Sequence, residues 1–244
     1  MRRFYDKQSF SQSQQALLGE AASHHISKVL RMQPGDELVV FNGDDGEWHA
    51  RIASISKRNV TVDLLAHLAL NRTPNIDAHI VLPIIKGDRM DYALQKATEL
   101  GAASFQPLVT ERTEVKLYND RIDKKLSHWQ QVVISACEQC GMNRVPLVQA
   151  PIRLHDYLEK ISEKGLIGEL KIIAHPGENT LSGNSLREAK QITLLTGPEG
   201  GFSTSELEAA ISAGFQPFAL GQRILRAETA PTALLAAIWM ACGD

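Results

Sequence analysis

The chain has 244 residues, 26 Lys+Arg against 28 Asp+Glu, a formal net charge of −2, 43% hydrophobic residues and 22% charged ones. That apolar fraction excludes a disordered chain, and the longest apolar runs, residues 80–85 and 233–242, fall well short of the roughly 18–20 residues of a membrane span. The near-zero charge argues against a dedicated nucleic-acid binder, for which a pI above about 9 is the usual flag, but it leaves room for a local basic patch. Three cysteines cannot build a disulfide framework. Arg2 and Arg3 are followed by Asp6, Lys7 and glutamines instead of an apolar signal segment, so a cytoplasmic protein is expected.

The pattern changes character near residue 71. Before it the signals are mostly those of strands. Residues 37–41 are apolar, and Asn42-Gly43-Asp44-Asp45-Gly46 is a cluster of turn formers. Trp48, Ala50, Ile52 and Ile55 lie largely on alternating positions; Ser56-Lys57-Arg58-Asn59 makes the next turn, and Val60, Val62 and Leu64 alternate again. Consecutive hairpins of this kind predict a small antiparallel barrel or meander over residues 1–70. One helix over residues 24–32 interrupts it, with Ile26, Val29 and Leu30 at i, i+3, i+4. Residues 71–75 read as a linker.

From residue 76 to 244 strands alternate with helices. Strands are expected at 79–85, 104–109, 171–175, 191–196 and 217–220, and helices at 88–100, 121–141, 203–213 and 228–242, with Asp88 as an N-cap and Gly101 as a stop. Such alternation predicts an α/β domain with a mostly parallel sheet. Neither half contains an internal repeat.

Three glycine-bearing loops follow consecutive strands: His175-Pro176-Gly177, Thr196-Gly197-Pro198-Glu199-Gly200-Gly201, and Leu220-Gly221-Gln222-Arg223-Ile224-Leu225-Arg226-Ala227-Glu228-Thr229. Strand carboxyl ends are where open α/β sheets bind ligands, and a glycine turn before a helix with Ser203 at its cap lets backbone N–H groups approach a ligand with the positive helix end behind them. The loops match neither the dinucleotide nor the P-loop fingerprint. Taken alone, the glycine turn is equally a tight structural turn, and Arg226 with Glu228 is equally an ion pair at a helix entry. Cys137 and Cys140 lie inside a helical pattern without a second pair, so they are expected as buried helix cysteines, and no metal is implied. Arg2, Arg3, Phe4 and Tyr5 at the start, then Lys28 and Arg31 on one helix face, combine cations with aromatics as an RNA-binding surface does; on composition alone a merely solvated surface is the favoured reading.

Four motifs carry a resemblance. Lys86-Gly87-Asp88-Arg89-Met90 with Gln95-Lys96-Ala97-Thr98-Glu99-Leu100-Gly101, then Glu138-Gln139-Cys140-Gly141-Met142-Asn143-Arg144-Val145-Pro146, the turn Gly197–Gly201, and the segment Leu220–Thr229 resemble, in this order, the motifs of the RsmE family, the ribosomal RNA small subunit methyltransferases E. The resemblance implies an N-terminal PUA-like RNA-binding barrel and a C-terminal SPOUT domain whose trefoil knot holds S-adenosylmethionine, in a cytoplasmic homodimer that methylates N3 of one uridine in 16S rRNA of the assembled small subunit. It further implies that His175, Thr196, Gly197, Gly200, Gly201, Leu220, Gly221, Ile224, Leu225 and Thr229 surround the cofactor. Arg226 is expected to stabilise charge on the uracil, with Glu199 as first and Glu228 as second candidate carboxylate. Arg2, Arg3, Tyr5, Lys28, Arg31, Asn143 and Arg144 are expected on RNA, and Glu138, Asn143 and Arg144 to reach the site of the other protomer. Two alternatives stand beside this: the same fold acting on a ribose 2′-hydroxyl or another base, and a non-catalytic RNA-binding ribosome-assembly factor.

Overall fold

A computed structural model describes residues 1–10, 14–113, 119–162, 168–176 and 183–242. It divides into two compact units, Met1–Thr73 with Ile134–Val145, and Pro74–Val133 with Pro146–Asp244. The segment Ile134–Val145, expected in the second domain, therefore packs with the first unit. Among the described residues, no helix is long and apolar enough to cross a membrane.

The first unit holds β1 (Arg3–Tyr5), β2 (Gln15–Leu17), β3 (Glu37–Phe41), β4 (Glu47–Ser56) and β5 (Asn59–Leu68) in the order β1-β3-β4-β5-β2. β3, β4 and β5 form the expected antiparallel meander, whereas β1 runs parallel to β3. A parallel neighbour needs a crossover, supplied by the helix α1 (Glu20–His24) and its continuation His25–Val29. That continuation is a π-helix, with Leu30 N donating to His25 O at 2.9 Å. The wider turn breaks the 3.6-residue spacing, so Ile26 is fully buried while Val29 is 59% exposed. In the turn before β4, Asn42 Oδ1 accepts from the N–H groups of Asp44 and Asp45, both at 3.1 Å. Gly46 sits there at φ 81, where a Cβ would lie 2.4 Å from Leu68 O. Phe4, Phe10, Leu38, Trp48, Ile52 and Val62 build the core.

In the second unit, β6 (Asp77–Pro83) is followed by α2 (Asp88–Glu99), β7 (Ser104–Val109), α3 (Asn119–Cys140), β8 (Leu147–Val148), β9 (Ile152–Arg153) and α4 (Leu154–Ser162). β10 (Glu169–Ala174), α5 (Gly183–Glu188), β11 (Gln191–Leu195), α6 (Thr204–Ser212), β12 (Gln216–Phe218) and α7 (Ala230–Cys242) complete it. Its strands form one parallel sheet in the order β12-β10-β11-β6-β7-β8, with β9 also paired to β7. β6 and β11 are buried almost throughout, as strands covered on both faces must be. Asp88 is not the cap of α2 but its first residue; Gly87 caps it at φ 62, a backbone conformation that suits glycine. Gly101 ends α2 at φ 82, where a Cβ would overlap Pro74 at 2.3 Å.

Candidate active site

β12, β10 and β11 are parallel neighbours, so the segments that follow them emerge at one edge of the sheet. There Ala174–Pro176, Gly197–Phe202 and parts of the segment from Phe218 to Leu234 wall a cavity of about 290 Å³, near the lower bound of small-molecule sites. Of the expected cofactor contacts, His175, Gly197, Gly200, Gly201, Ile224 and Leu225 line it, as does Glu199. Thr196, Leu220, Gly221, Thr229, Arg226 and Glu228 are outside the lining residues, and Gly177 lies outside the described residues. The lining also contains Phe202, Phe218, Arg223 and Leu234, which the sequence reading missed. Phe202 directly follows the glycine turn, a signal available in the chain, whereas Leu234 is one apolar residue among many on α7 and nothing local marks it.

The Gly197–Gly201 turn is tightly built. Gly201 N donates to Pro198 O at 2.8 Å, and Gly201 adopts φ 69. A Cβ on Gly197 would sit 3.0 Å from the Phe202 ring. Behind the turn, Ser203 Oγ accepts from Glu206 N and Glu206 Oε2 accepts from Ser203 N, a complete capping box. The start of α6 is thus partly occupied by its own side chains instead of being open to a ligand.

Two arginines reach the same turn. Arg89, at the start of α2, pairs with Glu199 at 2.9 Å, and Arg112, just beyond β7, donates to Gly200 O at 2.7 Å. Arg89 belongs to the Lys86–Met90 motif, which was a signal available in the sequence; Arg112 stands in no motif. Two polar side chains beside the cavity are buried with an atom unpartnered: Thr196 Oγ1 and Glu228 Oε2. Arg226 is exposed, and it makes no ion pair with Glu228.

The first unit carries its own charged cluster. Glu47, 3% exposed, receives Arg3, Arg72 and Asn143, and Arg3 also lies 4.6 Å over the Phe41 ring. Burial, and then the charge of Arg72, lower the Arg3 pKa from the ordinary arginine value. Arg3 and Asn143 thus face inward, and Tyr5 is half-buried against Phe41, with its backbone N–H on Glu138. Arg2, Lys28, Arg31 and Arg144 are exposed. Cys137 is fully buried beside Phe41 and Met142, and burial pushes its thiol far above the ordinary value.

Residues 71–239 match the RNA methyltransferase domain family and residues 18–65 the RNA methyltransferase PUA domain family. A ribosomal RNA small subunit methyltransferase E from Synechocystis sp. is 36% identical over 91% of this chain and 71% of its own. The chain belongs to the ribosomal RNA small subunit methyltransferase E family. Among solved relatives, the Neisseria gonorrhoeae family member bound to S-adenosyl methionine is 34% identical, with a TM-score of 0.89 over 98% of this chain and 97% of that one. A Legionella pneumophila chain solved with the bound cofactor SAM is 35% identical, with a TM-score of 0.90 over 98% and 97%. Membership makes the N-terminal unit a PUA-like domain and the parallel-sheet unit the methyltransferase domain.

Proposed function

We propose that this chain transfers a methyl group from S-adenosylmethionine to N3 of one uridine in 16S rRNA, acting in the cytoplasm as a homodimer on the assembled small ribosomal subunit. The observation that carries the reading is the cavity at the carboxyl ends of β12, β10 and β11, walled by the Gly197–Gly201 turn. The residues fit the cofactor. Ile224 and Leu225 offer apolar surface for adenine, while the turn and the unpartnered hydroxyl of Thr196 offer polar groups to the rest. Leu220, Gly221 and Thr229 belong to the same loop and complete the proposed contacts. The trefoil knot belongs to this proposal too, supported by a chain that moves from β10 to β11 and returns to the far side of β10 as β12.

When bound, S-adenosylmethionine supplies a methyl group already activated on a sulfonium. The chain's task is then positioning and proton control. Uracil N3 carries a weakly acidic proton that must leave before its lone pair is free for attack. Arg226 is the proposed group that stabilises negative charge spreading onto O2 and O4; its exposure, in the loop that carries Ile224 and Leu225, supports this role. One Glu199 oxygen is already paired to Arg89, which leaves the other as proton acceptor. Glu228, with a buried unpartnered oxygen, is the second candidate. RNA is engaged by exposed Arg2, Lys28, Arg31 and Arg144, with Arg3, Tyr5 and Asn143 shaping the surface behind them. A homodimer is supported by α7, which has no charged residue, yet leaves Met240 87% exposed.

The test is methyl transfer from labelled S-adenosylmethionine to small subunits lacking the modification, followed by nucleoside digestion. Label in 3-methyluridine is expected. Label in a 2′-O-methyl or another nucleoside overturns the target, and cofactor binding without transfer overturns the catalytic reading.

A further inference from the structure

The Gly197–Gly201 turn borders the cavity, and its own backbone bonding closes it at one point. Only the Gly201 N–Pro198 O bond closes it internally, and Glu199 and Gly200 at its crest are exposed. The groups that fix the crest come from two other strand–loop units. Arg89 grips the Glu199 side chain at 2.9 Å. Arg112 donates to the Gly200 carbonyl at 2.7 Å, and its aliphatic stem lies so close to Gly200 that a Cβ there would meet it at 3.3 Å. The Arg112 segment is itself tied down, because Glu111 N donates to Glu206 Oε1 at 2.9 Å and Ser205 Oγ to Glu111 Oε1 at 3.3 Å.

We propose that Arg89 and Arg112 are positioning residues that clamp the crest of the glycine turn in the conformation that receives the methyl donor, and that Glu199 serves this clamp. This rests on the cofactor reading above. Energetics separate a clamp from a fold-stabilising contact. The Arg89 and Glu199 side chains are 38% and 31% exposed, and ion pairs that wet contribute little to stability. The turn, however, is a loop whose preorganisation is felt in binding, because a misplaced loop must be reordered each time a ligand enters. Loss of the clamp therefore shows in affinity, with the fold left intact.

The experiment uses Arg89→Glu, Glu199→Arg, the double charge swap, Arg112→Ala and Arg112→Lys in the full-length chain. The readouts are the S-adenosylmethionine Kd by calorimetric titration, the melting temperature of the ligand-free protein, and amide hydrogen exchange at Gly201. The single variants and Arg112→Ala are expected to raise Kd about 10-fold or more, equivalent to about 1.4 kcal/mol, with melting unchanged and Gly201 exchange accelerated. The swap and Arg112→Lys are expected to recover most of both effects. Unchanged Kd in the singles overturns the proposal, and so does a loss of Kd that tracks melting and is not rescued by the swap. If the unmodified protein does not bind S-adenosylmethionine, the cofactor reading fails. The clamp is then judged by Gly201 exchange alone, with faster exchange in the singles and recovery in the swap supporting it and unchanged exchange overturning it.

Discussion

Glu47→Ala should loosen the N-terminal unit more than any other single charge removal in it. Its carboxylate is 5% exposed and is shared by the Arg3 guanidinium, by Arg72 Nη1 at 3.0 Å and Nη2 at 3.4 Å, and by Asn143 Nδ2 at 3.2 Å. Removing it leaves the Arg3 and Arg72 guanidinium groups, which repel each other, without the anion they share, and Arg3 keeps Met142 O at 3.3 Å, the Phe41 ring and the weaker attraction of Glu138. Breaking a buried pair from one side costs roughly 3–5 kcal/mol. The Arg72 side chain is 44% exposed and can turn to water, which places the cost near the lower end, about 3 kcal/mol. Against a total stability of about 5–15 kcal/mol this is large. The cost falls on one of two compact units, so the assay is native-state amide hydrogen exchange, which reads each unit separately. Slow-exchanging amides of β3 and β4 should lose roughly 100-fold or more of their protection, while β6 and β11 keep theirs. A loss below about fivefold, near 1 kcal/mol, would refute the view that this cluster holds the unit together.

Glu138 gives a pH signature. Burial raises its pKa above the ordinary glutamate value, and the N–H of Tyr5 opposes the shift only in part. Because the folded state holds the proton to higher pH than the unfolded one, its contribution is fully present below the ordinary value and is lost as pH rises through the native one. Exchange protection of the first unit should fall across that window just above the ordinary glutamate range, and Glu138→Gln should flatten the fall; an unaltered profile sinks the assignment. Gly197→Ala places a Cβ 3.0 Å from the Phe202 ring, so the cofactor Kd should rise about 10-fold by titration, and an unchanged Kd would show that the ring yields freely. Arg226→Ala should lower kcat about 10²–10³-fold, the scale of a lost charge-stabilising donor, with an unchanged melting temperature because Arg226 is exposed; retained kcat rules it out of the chemistry. Glu228→Leu replaces a buried carboxylate whose Oε2 has no partner by an apolar group, so the ligand-free protein should melt a few degrees higher, roughly 2–4 °C, while methyl transfer falls; a lower melting temperature with full activity would make Glu228 structural.

Much of the parallel-sheet unit is legible because its signals are local. β7 falls at residues 104–109 as expected, and Ser203 caps α6 as its spacing to Glu206 implies. β2, β8 and β9 are only two or three residues long, too short for any period to show, and they exist because a neighbouring strand supplies the hydrogen bonds. α4 is different: Leu154, Tyr157, Leu158 and Ile161 carry helical spacing, so that signal was present in the chain. The end of α3 and the residues just after it pack with the first unit, Cys137 and Met142 against Phe41, and no local pattern encodes a contact between residues so far apart. The same holds at the site. Its glycines announce themselves, since positive φ and close approach demand them, but the arginines that reach Glu199 and Gly200 come from other strand–loop units.

Rigidity and polarity are divided between different residues around the cavity. Among the described residues, the buried side-chain atoms without a partner are Arg3 Nε, Thr196 Oγ1, Glu228 Oε2 and Thr232 Oγ1. The last three lie in segments that flank the cavity: Thr196 precedes Gly197, Glu228 stands between Ala227 and Ala230, and Thr232 follows on α7. An unsatisfied buried polar atom costs about 1–3 kcal/mol, more when charged, so each of these atoms calls for a completing group, a water or a ligand. The groups that hold the turn and the helix behind it, Arg89, Arg112 and the Ser203–Glu206 box, are by contrast partnered within the chain. A site built this way is held in shape before its ligand arrives and keeps its unmet hydrogen-bonding capacity for the ligand. That arrangement favours binding energy over ligand-free stability in the segments that flank the cavity.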